Sequence, residues 1–223
     1  MRRRIFYDFL NNKFIKSDSI IFYKREIKRG KMICKIYLFR HGQTIYNKKH
    51  IFTGFKDSKL TALGIKQTKI ITKKLKNKKF QVAFQTRLSR SKDTLKEVLK
   101  LHPECKIIIE DDRMIERSYG KLQGHSHAEF IKKHRKKLFD LYHRSYNISP
   151  PGGESVKMVE KRVSSFIKDL LAFIKREKVN VAISAHGNSM RPFRRYFEKL
   201  SIEKMMQLEN PFDDYFEYDV NIP

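Results

Sequence analysis

The apolar positions of this 223-residue chain change period several times, and each change marks an element. Lys35 to Phe39 open as an apolar run that predicts a buried strand, cut off by Arg40, His41 and Gly42. Thr44 is a candidate cap for a following helix. Thr61 is a second candidate cap, for a helix to about Asn77 with Leu63, Ile70, Ile71 and Leu75 facing inward. Phe80 to Phe84 predict a second strand, and Thr86 to Arg90 open a helix through Leu99 with Arg90 in its first turn. Pro103 ends that unit, and Ile107 to Ile109 read as a third strand. Glu116 to Gly124 are polar and glycine-punctuated, a loop of the kind that carries side chains into sites.

A helix from about His127 to His143 comes next, its apolar positions Phe130, Ile131, Leu138 and Leu141, and Pro150 to Gly153 form a turn. The clearest helix runs from Glu154 to Ile174, where Val156, Val159, Val163, Phe166, Ile167, Leu170, Leu171 and Ile174 keep one face at helical spacing. Val179 to Ser184 are again strand-like, followed by His186 and Gly187. Ser189 to Glu198 read as a helix with Pro192 in its first turn, Ser201 starts another, and Tyr215 to Val220 form a final strand. Strands alternating with helices predict an α/β fold: a three-layer sandwich with a largely parallel central sheet and helices on both faces.

Two of these strands end in the same way, 145 positions apart, each delivering His-Gly to what would be the same edge of a sheet. That repetition predicts one bipartite site. Phosphoryl transfer through histidine needs a neutral imidazole nucleophile, cations around the phosphoryl oxygens, and a carboxyl that gives and takes a proton. His41 supplies the first. Arg40 and Arg90 supply planar forks, His186 adds a donor if protonated, and Glu116 is the carboxyl best placed.

Composition narrows the surroundings of that site. No apolar run exceeds five residues, so the sequence predicts no membrane span, and no secretory apolar region follows Arg2, Arg3 and Arg4. Cys34 and Cys105 are too few for a disulfide scaffold or thiolate metal site, which points to a reduced, cytoplasmic protein. The net charge of +26 is spread over nearly the whole chain without a nucleic-acid-binding module, and predicts solvated lysine-rich helix faces rather than a specific nucleic-acid partner. Residues 1–31 hold ten Lys/Arg and three Asp/Glu with no clear period, and Met32 sits directly before the first strand. They read as a basic N-terminal extension, or as an upstream start that is not the true one, ahead of a catalytic domain over 32–223.

With these motifs in order, the chain resembles the histidine phosphatase superfamily and, within it, the cofactor-dependent phosphoglycerate mutases. The resemblance runs from Lys35 to about Val220. It rests on Leu38 to Thr44 with Asn47, Phe52 to Gly54, Asp57 to Gly64, Thr86 to Arg90, Glu116 to Gly120 with Leu122 to Gly124, and Ala185 to Ser189. It implies that His41 is the phosphohistidine and Glu116 the general acid and base, with Arg40, Asn47, Arg90, His186 and Gly187 lining the phosphoryl pocket. Thr53, Gly54, Tyr119, Lys133, Arg144 and Asn188 would hold the rest of a small anionic phosphorylated metabolite. The implied activity is interconversion of 3- and 2-phosphoglycerate in glycolysis and gluconeogenesis, primed by 2,3-bisphosphoglycerate, with no metal; a homo-oligomer is left open.

Three departures pull toward a phosphomonoesterase of the same superfamily. His143 stands where the mutases usually place the first of two arginines, so a second phosphate would be held less firmly. The turn at Pro150 to Ser155 is shorter than the mutase loop, and the chain stops at Pro223 without the long tail that shields the mutase site. A catalytically dead basic nucleic-acid-binding or scaffold protein is the most distant reading, because no catalytic residue is lost.

Overall fold

The computed structural model describes residues 32–222, so the basic extension over 1–31 lies outside the described residues. Five strands form one sheet: β1 (Met32–Arg40), β2 (Val82–Gln85), β3 (Ile107–Glu110), β4 (Val181–Ala185) and β5 (Tyr215–Ile222). Their order is β3-β2-β4-β1-β5. β1 pairs parallel with β4, and β2 parallel with both β4 and β3, while β5 lies antiparallel on the outer edge of β1. The expected largely parallel sheet is therefore present, with one antiparallel edge.

Seven α-helices accompany it among the described residues: α1 (Ile45–Lys48), α2 (Ala62–Leu75), α3 (Ser89–Val98), α4 (His127–Arg144), α5 (Val156–Glu177), α6 (Gly187–Glu198) and α7 (Ile202–Gln207). The alternating pleat of β1 sends Cys34, Ile36 and Leu38 to one face, where they meet α5 and α6. It sends Tyr37 and Phe39 to the other face, against Ile71 and Leu75 of α2 and Leu95 and Val98 of α3. Helices thus cover both faces, which makes the three layers. α5 alone buries eight apolar side chains, from Val156 to Ile174. Each contributes roughly 1.5–3 kcal/mol. Ser155 caps its start, and Lys178 in the left-handed region (φ 55°) ends it.

The structure corrects several side-chain assignments. Leu63 and Ile70 are exposed on α2, and the inward face is Gly64, Thr68, Ile71, Thr72 and Leu75 instead. Thr68 and Thr72 are accommodated there because each hydroxyl donates back to the carbonyl four residues earlier, at 2.9 Å in both cases. Leu141 is exposed, and α4 does not run straight: Arg135 has φ 67° and ψ 153°, so helical spacing does not carry from one half to the other. Pro192 sits past the first turn, since α6 begins at Gly187 rather than Ser189.

A third apolar cluster lies outside the two sheet faces. Phe52, Tyr119, Leu122 and Phe130 pack together, with Leu138, Phe139 and Tyr142 against them. It joins the segment after α1, the Glu116–Gly124 loop and both halves of α4.

The first turn of α2 packs directly on the backbone that follows β1. A Cβ on Gly64 would meet Gln43 O at 2.1 Å, and one on Gly42 would meet Gly64 O at 2.4 Å. Both contacts are with backbone, so neither neighbour can give way. Gly64→Ala is expected to cost about 1–3 kcal/mol of stability and to lower turnover by displacing the turn after His41. Urea unfolding and steady-state kinetics check this, and an Ala variant with wild-type values for both would show that the close approach is not needed.

Candidate active site

Parallel pairing fixes the centre of the site. Arg40 stands opposite Ala185 in the β1–β4 register, so His41 and His186 leave adjacent strand ends on the same edge. His41 N–H donates to Ala185 O (3.1 Å), which carries the ladder one step past the strand. The two imidazole rings lie 5.0 Å apart. Glu116 arrives from the loop after β3, and one ligand atom from each of His41, Glu116 and His186 lies within 4.8 Å of the others.

Each member of the trio is held. His41 Nδ1 lies 2.8 Å from Gly42 O. A carbonyl only accepts, so Nδ1 carries the proton and Nε2 keeps its lone pair for attack. His186 Nε2 shares a hydrogen bond with the buried Thr86 hydroxyl (2.8 Å) at the end of β2, and its Nδ1 has no partner among the described residues. Glu116 Oε1 accepts from the backbone N–H of Arg117 (2.8 Å) and of Asn188 (3.1 Å).

Two guanidiniums close the sides. Arg90 is 1 % exposed and donates to Lys56 O (2.9 Å) and Gly54 O (2.8 Å). Arg40 donates to Asn210 O (3.0 Å) and lies 3.8 Å from the centre of the Phe212 ring. The Nε of each is buried without a partner among the described residues. Gly187 makes room for this arrangement, since a Cβ there would come within 3.2 Å of Arg40 Nη2. Burial, then the charges of Arg90 and Arg40, hold the His41 imidazole well below its ordinary value. Burial, Arg90 and His41 do the same to His186. Both rings are thus held toward the neutral form, and His186 adds a second donor only where an anion's charge brings it a proton.

The same charges decide what the trio can hold. Two histidines and a carboxylate could ligate a metal ion by distance alone. Two buried arginines beside them repel a cation, and their unpaired donors call for an anion. The pocket fits a phosphoryl group.

The remaining candidates divide. Asn188 joins the centre through Glu116, and the Tyr119 side chain lies against that of Asn188. Gly54 contributes its carbonyl to Arg90, and Thr53 turns back to donate to Ile51 O (3.2 Å). Asn47 accepts from Thr44 N and Oγ1, and the reciprocal Thr44 cap of α1 is formed. His143 stacks on Tyr119, with ring centres 6.1 Å apart and planes within 17°. Lys133 and Arg144 are exposed. They sit on opposite sides of the Arg135 kink, so helical spacing does not put them on one face.

Some contributors are not evident from the sequence. Arg162 of α5 donates to Arg113 O (2.8 Å), Ile115 O (2.8 Å) and Glu116 O (3.0 Å), and pairs with Glu154. Glu154 in turn accepts from Ser118 N (2.9 Å). Together they fix the backbone that carries Glu116. Nothing in the sequence sets Arg162 apart from the other cations of α5. Arg117 bonds Glu154 O, His143 O and Tyr142 O, and so ties the loop to the second half of α4. Arg191 reaches Asn188 Oδ1 (3.3 Å), and His127 packs on Phe52 with ring centres 4.3 Å apart.

Comparison with known proteins identifies relatives over most of the chain. A profile described as the Histidine phosphatase superfamily (branch 1) matches residues 36–214. The 2,3-bisphosphoglycerate-dependent phosphoglycerate mutase of Parvibaculum lavamentivorans is 37% identical over 177 residues, which cover 78% of this chain and 84% of that protein. Among solved structures, a phosphoglycerate mutase from Bacillus anthracis superposes with a TM-score of 0.66 at 21% identity, covering 86% of this chain and 91% of that one. A mycobacterial glucosyl-3-phosphoglycerate phosphatase gives 0.71 at 22% identity, covering 83% and 89%. The two structures show a shared fold.

Four buried or half-buried histidines have depressed values: His41, His186, His127 and His143, each chiefly through burial. Unfolded histidine binds its proton near pH 6.5, so below that pH the unfolded chain takes up protons that the folded one refuses. This contribution to stability is full above about pH 6.5 and is lost as the pH falls toward the folded values. The expected slope is about 1.4 kcal/mol per pH unit for each such histidine. Urea midpoints measured on either side of pH 6.5 check it; equal midpoints would contradict four neutral buried rings.

Proposed function

This enzyme belongs to branch 1 of the histidine phosphatase superfamily, and we propose that it interconverts 3-phosphoglycerate and 2-phosphoglycerate through a phosphohistidine at His41. The observation that carries the reading is the pair of buried, unpartnered Nε donors of Arg40 and Arg90 flanking a neutral His41. The names of the relatives at about one-third identity support the choice of substrate. The primer, 2,3-bisphosphoglycerate, supplies the phosphoryl group that first charges the histidine.

His41 Nε2 attacks phosphorus, an N–P bond forms, and the P–O ester bond breaks. The departing oxygen takes its proton from the Glu116 carboxyl. In the return half, Glu116 accepts the proton of the attacking hydroxyl while the N–P bond breaks. Arg40 and Arg90 draw charge from the equatorial oxygens, and a donor that is already in place need not reorganise as that charge shifts. Thr53, Gly54, Tyr119 and Asn188 are assigned to the rest of the substrate. Asn47 acts at one remove, by holding the turn after His41, and a cytoplasmic location fits this substrate class.

One observation favours hydrolysis as a second reading. Lys133 and Arg144, assigned to the far end of the substrate, are both exposed. A far end gripped loosely admits water, and the phosphohistidine then loses its phosphoryl group to it. Incubation with 3-phosphoglycerate, with and without 2,3-bisphosphoglycerate, separates the two through 2-phosphoglycerate and free phosphate. We expect primer-dependent 2-phosphoglycerate. Phosphate alone would establish the phosphatase. His41→Ala is expected to abolish both products and acid-labile phosphate labelling, and labelling at the wild-type level would show that another residue is the nucleophile.

A further inference from the structure

Behind the reacting centre lies a hydroxyl that takes no part in bond making. Thr86 follows β2 and is wholly buried. Its Oγ1 lies 2.8 Å from His186 Nε2. The other ring nitrogen, Nδ1, is buried without a partner among the described residues. Thr86 therefore sets how the His186 ring is turned.

Thr86 itself has little freedom. Its N–H donates to the Ser91 hydroxyl (3.1 Å), which donates to Ser184 O (2.8 Å), and the Ser184 hydroxyl returns a bond to Ser91 O (2.9 Å). Thr86, Ser91 and Ser184 are all wholly buried. These bonds tie the end of β2 to β4, just before His186, and to the first turn of α3, where Ser91 is the neighbour of Arg90. The His186 backbone is fixed separately, because its N–H donates to the Ser189 hydroxyl (3.3 Å) in the first turn of α6. Only the rotation of the ring remains, and the Thr86 hydroxyl governs it. Packing alone does not call for that hydroxyl, since a buried one is costly unless it is bonded.

The charges around the ring make the hold matter. Arg40 and His41 at the end of β1, Arg90 of α3 and Arg162 of α5 all bear on His186, and Glu116 is the acidic group beside it. In that field the free ring is held toward the neutral form, and a bound phosphoryl group would draw it toward the imidazolium. A carbonyl can only accept and an ammonium can only donate. A hydroxyl does either, so its bond to Nε2 survives whichever state the ring is in.

We propose that Thr86 is a positioning residue for phosphoryl transfer, whose hydroxyl holds the His186 ring toward the phosphoryl group and follows that ring through its change of protonation. The inference rests on the phosphohistidine reading, and not on the choice between mutase and phosphatase.

Orthovanadate, a mimic of the transferring phosphoryl group, is the probe. Nitrogen NMR of isotope-labelled histidines reports the ring, with His186→Gln identifying its signals. Thr86→Val removes the hydroxyl and is expected to bind vanadate roughly 10- to 100-fold more weakly, because a buried ring nitrogen loses its partner. Thr86→Ser keeps the hydroxyl and should recover most of that affinity. The His186 ring nitrogens should shift with Thr86→Val and stay near their wild-type positions with Thr86→Ser, a pattern that a packing role alone would not produce. Where valine disturbs the fold, seen as a lowered urea midpoint, Thr86→Ala removes the same bond without adding an atom and should show the same losses. Wild-type affinity and ring signals in these variants would overturn the proposal, and so would a serine variant as weak as the valine one. Failure of the phosphohistidine reading looks different: the contrast between valine and serine would persist while His41 carries no acid-labile phosphate.

Discussion

Two buried guanidiniums that pair with backbone carbonyls rather than with carboxylates set the terms for the edge of the sheet that carries the site. Arg40 and Arg90 have no carboxylate within hydrogen-bonding distance among the described residues; Asp57 approaches Arg90 only to 3.9 Å and is itself half exposed. Taking a guanidinium out of water costs several kcal/mol even after relaxation. Backbone carbonyls of Gly54, Lys56 and Asn210 and the face of Phe212 recover part of it. The cost is still visible in Arg40, which burial lowers to about 10. Such a pair persists because the surrounding chain is tied to it. The segment before α2 and the segment before β5 are each anchored by one guanidinium, so the site and the loops around it stand together.

Glu116 is the counterweight, placed near both cations and bonded to neither. Its charge is the favourable one that each arginine feels most strongly. Direct ion pairing would consume the donors that a phosphoryl group needs. The loop is prevented from collapsing onto the arginines by bonds at its back: Arg162 takes the carbonyls of Arg113, Ile115 and Glu116, and the Arg117 and Asn188 N–H groups aim the carboxylate. A carboxylate held by backbone donors keeps its geometry, which the two-way proton transfer proposed for it requires.

What the sequence revealed and what it hid follow from the range of the forces involved. The strands that deliver His41 and His186, the helix over Val156–Glu177 and the cap at Thr61 depend on neighbours within a few residues, and all were legible to within a few residues of their bounds. The pairing of His41 with His186 was legible too, because parallel strands put like ends together. The inward face of α2 was not, because a close backbone approach at Gly42 and Gly64 selects small side chains there over larger apolar ones. Arg162 looked like one more charge in a lysine-rich chain, and only tertiary structure shows the three carbonyls it collects. The Arg135 kink is the deepest miss. It interrupts the single helix expected over His127 to His143 and brings His143 back beside His127.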